Sequence, residues 1–205
     1  MTGALEAALR MGAQKILGRP LTIDQVDKFF KYLELLVKWQ KVQRLVGSSD
    51  PASILDDLLL DSLLFVPILP SNVGRVMDLG SGAGLPGIPL GIVLPSTQVT
   101  LVESRQKRAS FLSTAIRELG LRTARVVSSR AEDLPSEFDR SFEAVVMRCA
   151  GRLETMMPLA ARFVAPGGAV IASGPPAAEP LIAGVWTNVA RPGGGGARLF
   201  AVLKQ

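Results

Sequence analysis

The sequence predicts an α/β fold in which a mostly parallel sheet of seven strands is covered by helices on both faces. From residue 74 onwards, short apolar segments alternate with helical ones, a pattern typical of parallel strands joined by crossover helices. Before that point, apolar residues recur at helical spacing and no strand candidate is found. We therefore expect a helical extension over residues 1–70 and an α/β domain over residues 71–205.

Local capping signals place two helices in the extension. Thr22 and Gln25 fit a capping box, in which Thr22 is the N-cap and the Gln25 side chain bonds back to the N-cap backbone. A second helix begins at Asp50, with Pro51 at its first helical position, and ends at Pro67. Its apolar residues predict that it is largely buried.

Seven strand candidates and three helix candidates follow. The strands are Arg75–Leu79, Val99–Glu103, Arg125–Ser128, Ala144–Arg148, Ala169–Ala172, Val185–Ala190 and Leu199–Leu203. The helices are Gly87–Leu94, Arg105–Leu119 (capped by Ser104 and stopped by Gly120) and Leu153–Val164. The last two strands are joined by a glycine-rich connection over residues 192–196 with no helix between them, which predicts an antiparallel closing strand.

Composition excludes several kinds of site. The chain has no histidine and one cysteine, so the commonest general base and metal ligand are missing, and we expect no metal. A lone cysteine, Cys149, suits a reducing compartment, and we expect a cytoplasmic protein without a membrane segment. The net charge of +5 suits RNA as a partner but is also found in ordinary basic proteins.

A carboxylate and three glycines follow one another where the first strand ends. Asp78 lies near the strand's end, and Gly80, Gly82 and Gly84 alternate after it. Ligands of open parallel sheets bind beyond the carboxyl ends of the strands, and glycines let the backbone approach them closely. Asp78 would repel a pyrophosphate but attract the cationic methionyl end of S-adenosylmethionine (SAM). The pattern therefore favours SAM as the cofactor.

A dinucleotide is the rival cofactor. Residues 82–87 match the pattern G-x-G-x-x-G, which is found in dinucleotide-binding turns. A dinucleotide-binding turn begins directly after the strand, which would make Gly80 its first glycine, and Pro86 removes a backbone donor. Both points favour SAM.

A second carboxylate closes the next strand. Glu103 can accept hydrogen bonds from both ribose hydroxyls of a nucleoside. The alternative is that it is only a favourable charge at the N-terminus of the following helix.

Two further strand ends carry candidate residues. Ala131 and Glu132 follow the third strand, where an adenine would lie, or they belong to a solvated acidic loop. Arg148 ends the fourth strand and could pair with Glu132, touch the cofactor or hold a substrate phosphate. It is the one candidate for positioning the substrate, and we assign no catalytic residue. Cys149 has no partner that would activate it, so a core thiol is expected.

These residues together resemble the small-subunit (16S) rRNA guanine-N7 methyltransferases, the RsmG (GidB) family. The most specific segment is Met77–Leu90, which continues past the glycines as Leu-Pro-Gly-Ile-Pro. Further matches lie at Lys38–Lys41, Leu60–Ser62, Glu103–Leu112, Ser129–Asp133, Arg148 and Pro166–Gly168. The resemblance implies a class I SAM-dependent methyltransferase fold, which is Rossmann-like, and Gly80, Leu85, Ala131, Glu132 and Arg148 as SAM contacts.

The predicted cofactor-binding set joins both lines of reasoning. It consists of Asp78, Gly80, Ser81, Gly82, Gly84, Leu85, Glu103, Ala131, Glu132 and Arg148. The resemblance also implies transfer of a methyl group to N7 of a guanine in small-subunit rRNA, and we expect a monomer. Some positions depart from the family pattern, such as Leu58 where a histidine is usual. A methyltransferase acting on a protein or small molecule, and a non-catalytic ribosome-associated RNA-binding relative, are therefore alternatives.

Overall fold

The computed structural model describes residues 2–148, 152–174, 181, 183–192 and 196–205 of the chain. The expectations for Cys149 and for the glycines at 193–195 lie outside these residues. Among the helices that are described, none is long and apolar enough to cross a membrane.

Two long helices open the chain, α1 (Thr2–Leu17) and α2 (Ile23–Gln43). The capping box predicted at the start of α2 is confirmed. The Thr22 hydroxyl oxygen accepts the Gln25 N–H at 3.2 Å, and the Gln25 side-chain oxygen accepts the Thr22 N–H at 3.1 Å. These two bonds fix the direction in which α2 leaves the turn after α1.

The next helical segment is broken where the sequence predicts one helix. It consists of α3 (Pro51–Ile54), a π-helical turn (Leu55–Leu60), α4 (Asp61–Leu63) and a 3₁₀ turn (Val66–Ile68). Asp50 caps α3 as expected, because its carboxylate accepts the Ser53 N–H at 2.9 Å. Within the π-helical turn, the carbonyl oxygens of Asp57 and Leu58 accept hydrogen bonds from a distant arginine, Arg148. Wide turns of this kind often occur at functional sites.

The predicted seven-stranded sheet is confirmed. Its strands are β1 (Arg75–Leu79), β2 (Gln98–Val102), β3 (Ala124–Val127), β4 (Phe142–Arg148), β5 (Val164–Ser173), β6 (Val185–Ala190) and β7 (Ala197–Lys204). They lie in the order β3-β2-β1-β4-β5-β7-β6, and β7 pairs antiparallel with both neighbours while the other pairs are parallel. The order reverses between β1 and β4, which is where an open sheet offers its crevice.

Three helices connect the strands: α5 (Gly87–Val93), α6 (Gln106–Leu119) and α7 (Leu153–Ala161). The prediction that Ser104 caps α6 is wrong. The N-cap is Arg105, whose side chain makes no capping bond, and the nearby Glu103 carboxylate accepts the Arg105 N–H instead. Gly120 ends α6 in the left-handed conformation, as predicted.

The boundary between α7 and β5 also differs from the prediction. The helix ends at Ala161 rather than Val164, and β5 begins at Val164, so that Pro166 and Gly167 lie within the strand. The reason is tertiary pairing: the Phe163 carbonyl accepts the N–H groups of Ser141 and Phe142, which draws the chain into the sheet early. A register shift in the β4–β5 pairing accommodates the extra residues.

One hydrophobic core joins the N-terminal helices to the sheet. Phe29 and Leu36 of α2 belong to the same buried cluster as Leu101 of β2 and Phe111 of α6. The Trp39 ring packs edge-on against Phe111 at 5.4 Å between ring centroids. The extension is therefore fixed beside the carboxyl ends of β1 and β2, where the glycine turn lies.

Candidate cofactor-binding site

The turn after β1 is anchored to the end of β2. The N–H groups of Gly80 and Ser81 both donate to the Val102 carbonyl, at 2.9 and 3.0 Å, and the Gly84 N–H donates to the Ser81 carbonyl at 2.7 Å. Gly80, Gly82 and Gly84 have φ angles of 75°, 58° and 89°. Residues with a side chain rarely adopt these angles, so the turn depends on its glycines.

The glycines of the turn meet different surroundings. A Cβ atom added at Gly82 would have the Arg108 guanidinium, at 3.7 Å, as its nearest neighbour, so one side of the turn is open. A Cβ atom at Gly84 would lie 2.5 Å from Ile88 and 3.0 Å from Leu112, inside the core. Gly84 therefore packs the turn onto α5 and α6, whereas Gly82 leaves room for a ligand.

Glu103 supports this turn directly and keeps acceptor capacity. Its carboxylate is almost buried, and its two oxygens accept the Gly82 N–H at 2.9 Å and the Arg105 N–H at 2.7 Å. A carboxylate has about four acceptor positions, so these two bonds leave others for a ligand. The two readings of Glu103 are thus compatible: it orders the N-terminus of α6 and can also accept ribose hydroxyls.

Asp78 is more deeply buried than a direct ligand contact requires. One carboxylate oxygen accepts the Gly87 N–H at 2.9 Å, and the other has no hydrogen-bond partner among the described residues. Burial raises the pKa of Asp78 to about 7, although the bond from Gly87 and the charge of Arg148 act in the opposite direction. In this arrangement Asp78 fastens the first turn of α5 to β1 and keeps one buried oxygen without a hydrogen-bond partner among the described residues.

The residues present fit a cationic nucleoside such as SAM. Two nearly buried carboxylates, Asp78 and Glu103, lie close enough for the Glu103 charge to raise the Asp78 pKa. A cation bound beside them would relieve this repulsion, whereas a pyrophosphate would add to it. The open side of Gly82 supplies a space, and Glu103 supplies acceptor positions beyond its two backbone bonds. These carboxylate acceptors therefore suit SAM better than a dinucleotide.

Four predicted residues line the rest of this edge of the sheet. The Ser81 hydroxyl is buried and donates to the Asp78 carbonyl at 2.8 Å, so it holds the turn. Leu85 and Ala131 are buried beside the turn and after β3. The Glu132 side chain is exposed and lies 4.0 Å from Arg130. This exposure fits the alternative in which Glu132 belongs to a solvated acidic loop.

Pairing with Glu132 is one of three alternatives for Arg148, but the described ion pairs join Glu132 to Arg130 and Arg148 to Asp61. The Arg148 guanidinium donates to the carbonyls of Leu58 and Asp57, at 3.1 and 2.8 Å, and lies 3.6 Å from the Asp61 carboxylate. Arg148 therefore connects the carboxyl end of β4 to the N-terminal helices. Its place beside the crevice is retained, but its described partners belong to the helical extension.

Sequence reasoning missed two residues at this edge. Tyr32 of α2 is completely buried, and its hydroxyl donates to the Ala83 carbonyl within the glycine turn, at 2.6 Å. Asp61 is buried among the guanidinium groups of Arg148, Arg191 and Arg198. No local pattern shows that Tyr32 bonds the glycine turn, and arginines so distant in sequence give no signal that they meet.

Comparison with known proteins gives the family. The family described as rRNA small subunit methyltransferase G (GidB) matches residues 25–174. A relative from Xanthomonas oryzae, named ribosomal RNA small subunit methyltransferase G, is 40% identical over 174 residues, covering 82% of this chain and 79% of its own. A relative of the same name from Sorangium cellulosum is 38% identical over 180 residues, covering 85% and 75%.

Solved structures support the fold independently. A SAM-dependent methyltransferase from Aquifex aeolicus aligns with a TM-score of 0.55 and 16% identity, covering 75% of this chain and 94% of its own. A predicted O-methyltransferase from Agrobacterium tumefaciens aligns with a TM-score of 0.51 and 20% identity, covering 64% and 73%. The predicted class I, Rossmann-like fold is confirmed, and the chain belongs to the rRNA small subunit methyltransferase G (RsmG, or GidB) family.

Proposed function

We propose that this protein transfers the methyl group of SAM to N7 of a guanine in small-subunit ribosomal RNA. The observation that carries the proposal is the pairing of Glu103 with the glycine turn, because the carboxylate supports the Gly82 backbone and still has acceptor positions for a nucleoside. The names of its relatives from Xanthomonas oryzae and Sorangium cellulosum support RNA as the acceptor.

The predicted set divides into holding and supporting residues. We propose that Glu103 accepts the ribose hydroxyls, that the backbone of Gly80 and Gly82 approaches the methionyl end, and that the Ala131 backbone contacts the adenine. Asp78 is proposed to act through its charge and through the α5 N-terminus, since its carboxylate is enclosed. When bound, SAM supplies a methyl group on a positively charged sulfur.

The reaction requires little proton transfer by the protein. Guanine N7 has a free lone pair, so no proton has to be removed before it attacks the methyl carbon. This fits a sequence with no histidine. The task of the protein is then to hold the base in line with the methyl group and to exclude water.

Positive charge near the site favours a nucleic acid partner. Arg105 and Lys107 are exposed at the start of α6, directly after Glu103, and the whole chain has a net charge of +5. Such groups attract phosphates and make binding depend strongly on salt. We further propose that the protein works as a monomer in the cytoplasm, where ribosomal subunits are assembled.

The experiment is methyl transfer from labelled SAM to small ribosomal subunits that lack the modification. We expect label in the RNA, at a guanine where borohydride and aniline treatment cleaves the strand, as it does at 7-methylguanine. Glu103→Ala should abolish most of the transfer at limiting SAM, whereas Arg122→Gln, at an exposed loop position before β3, should retain it.

Each other result would contradict the proposal in a recognisable way. Label in protein and not in RNA would favour the protein methyltransferase alternative. RNA binding without SAM affinity or turnover would favour a non-catalytic RNA-binding relative. Label in RNA at a position that aniline does not cleave would retain the substrate but reject N7.

A further inference from the structure

The Asp61 carboxylate lies at the centre of three arginines from distant parts of the chain. Its oxygens lie 2.6 Å from Arg191, 3.6 Å from Arg148 and 3.8 Å from Arg198. The Asp61 side chain is only 1% exposed, so this carboxylate does not face water. We call Asp61 and these three arginines the arginine cluster.

The arginine cluster concentrates positive charge at one place. Among the described residues, three guanidinium groups surround this one buried carboxylate. The Arg191 side chain is 33% exposed and that of Arg198 is 22% exposed. Both side chains are therefore partly open to solvent. Inside the cluster, Arg198 Nε and one Asp61 oxygen have no hydrogen-bond partner among the described residues.

The side chains of the cluster are held in place before any ligand arrives. Arg148 is fixed by the carbonyls of Asp57 and Leu58, and the Arg198 guanidinium donates to the Ser173 hydroxyl at 3.0 Å. Arg191 is fixed by Asp61 itself, at 2.6 Å. Ordered guanidinium groups lose less conformational entropy when they bind a phosphate, which they match in shape.

The position of the arginine cluster relative to the glycine turn suggests its ligand. The glycine turn and Glu103 lie at the ends of β1 and β2, whereas Arg148 and Ser173 end β4 and β5, and Arg191 and Arg198 belong to the β6–β7 hairpin. A cofactor lying over β1 to β3 leaves the β4–β5 side for the molecule that receives the methyl group. We propose that the arginine cluster binds a backbone phosphate of the RNA substrate, an inference that rests on the proposed function.

The test compares Arg191→Gln with Arg122→Gln. Both remove one partly or fully exposed positive charge, but Arg122 lies in the loop before β3 at the opposite end of the sheet. The readouts are kcat and KM for small ribosomal subunits between 50 and 200 mM KCl, and the Kd for SAM by calorimetry. The melting temperature of each variant checks its folding.

We expect Arg191→Gln to raise KM roughly 10-fold with kcat nearly unchanged, as for the loss of one charged hydrogen bond. The slope of log(kcat/KM) against log[KCl] should become shallower by about one, because one phosphate contact is lost. Arg122→Gln should change neither KM nor this slope. An unchanged KM and slope for Arg191→Gln, or a KM effect accompanied by weaker SAM binding, would overturn the phosphate site.

A second variant should lower KM for the RNA substrate, a result that misfolding could not produce. Asp57 is exposed, and its carbonyl oxygen bonds Arg148, so Asp57→Asn removes a negative charge beside the cluster and keeps the backbone contact. At 50 mM KCl this variant should lower KM roughly twofold, and salt should erase the gain. An unchanged or higher KM would count against the site. Failure of the unaltered protein to methylate RNA would instead contradict the proposed function.

Discussion

The hydroxyl of Tyr32 donates a hydrogen bond to the carbonyl oxygen of Ala83 over 2.6 Å, and so joins α2 to the glycine turn. Burial raises the pKa of the Tyr32 phenol well above its ordinary value, so the group remains a donor throughout the working pH range. Through this bond the helical extension takes part in shaping the cofactor site.

Tyr32→Phe should weaken both folding and cofactor binding. The substitution leaves the Ala83 carbonyl without this donor, and an unsatisfied buried group costs about 1–3 kcal/mol. We expect the free energy of unfolding to fall by that amount in urea titrations. We also expect the Kd for SAM to rise several-fold, because the turn is less firmly held.

Thr97→Val provides the matched control for Tyr32→Phe. Thr97 also donates a hydroxyl to a backbone carbonyl, that of Val73 at 2.9 Å, but it lies just before β2, away from the glycine turn. Its loss should cost stability without changing the Kd for SAM. If Tyr32→Phe likewise changed stability alone, the bond would have only a structural role.

Asp78 should make the ligand-free protein less stable as the pH rises from about 4 to 7. Its pKa is about 7 in the folded chain and 3.8 as a free group, so the folded state holds the proton more tightly in that interval. Stability from this group is complete below pH 4 and is lost as the pH rises through 7, to the extent of a few kcal/mol. Urea unfolding from pH 5 to 8 measures this, and Asp78→Asn should flatten the curve.

The same titration should couple SAM binding to proton release. A cation beside Asp78 favours the ionised carboxylate, so binding below pH 7 has to expel the proton. We expect the Kd for SAM to fall as the pH rises to about 8 and then to level off. Calorimetry at pH 6.5 in two buffers of different ionisation enthalpy detects the released proton. Identical heats in both buffers would show that Asp78 does not sense the ligand.

Local signals predicted most of the fold correctly. The Thr22–Gln25 capping box, the apolar strands and the stop at Gly120 each depend on neighbouring residues, which the sequence displays directly. The errors lie where contacts with other parts of the chain determine the local structure. Phe163 looked helical but pairs with Ser141 and Phe142, and Ser104 lost the capping role because Glu103 accepts the backbone donor.

The sequence predicted the candidate site about as well as it predicted the fold. The glycine turn and its two carboxylates stand out because they follow strands at one edge of the sheet. The burial of Asp78, the partners of Arg148 and the role of Tyr32 depend on how α5, the π-helical turn and α2 pack on the sheet, which no local pattern encodes. The arginine cluster joins residues that are far apart in the chain, such as Arg191 and Asp61, which are separated by 130 positions.

Glu103→Gln should raise the Kd for SAM roughly 10- to 150-fold, the range expected for losing one charge-assisted hydrogen bond. The amide keeps the shape of the side chain, but it has one acceptor oxygen where the carboxylate has two. The N–H groups of Gly82 and Arg105 each bond a separate carboxylate oxygen, so the amide cannot accept both in the same way. Calorimetric titration measures the change.

Glu143→Gln is the control for Glu103→Gln. Its carboxylate also accepts a backbone N–H, that of Arg75 at 2.6 Å, but it lies at the amino-terminal edge of the sheet. This variant should bind SAM as the unaltered protein does. Equal affinity in both variants would remove Glu103 from the cofactor site and leave it with the helix-capping role alone.

Replacing each of two glycines of α5 by alanine should change the free energy of unfolding in opposite directions. A Cβ atom at Gly87 would collide with Leu101 and lie 2.6 Å from an Asp78 carboxylate oxygen, so Gly87→Ala has to separate α5 from β1. Gly91 has no atom nearer than 3.6 Å to its added Cβ, and it lies inside the same helix.

We expect Gly87→Ala to lower the free energy of unfolding by about 1–3 kcal/mol through overpacking, and to weaken SAM binding because the Asp78–Gly87 bond is stretched. Gly91→Ala should raise stability by up to about 1 kcal/mol, since alanine favours the helix and fits the space. Urea unfolding of the two variants in one buffer decides the matter. A Gly87→Ala protein as stable as the Gly91→Ala protein would mean that the start of α5 packs against Asp78 more loosely than these distances imply.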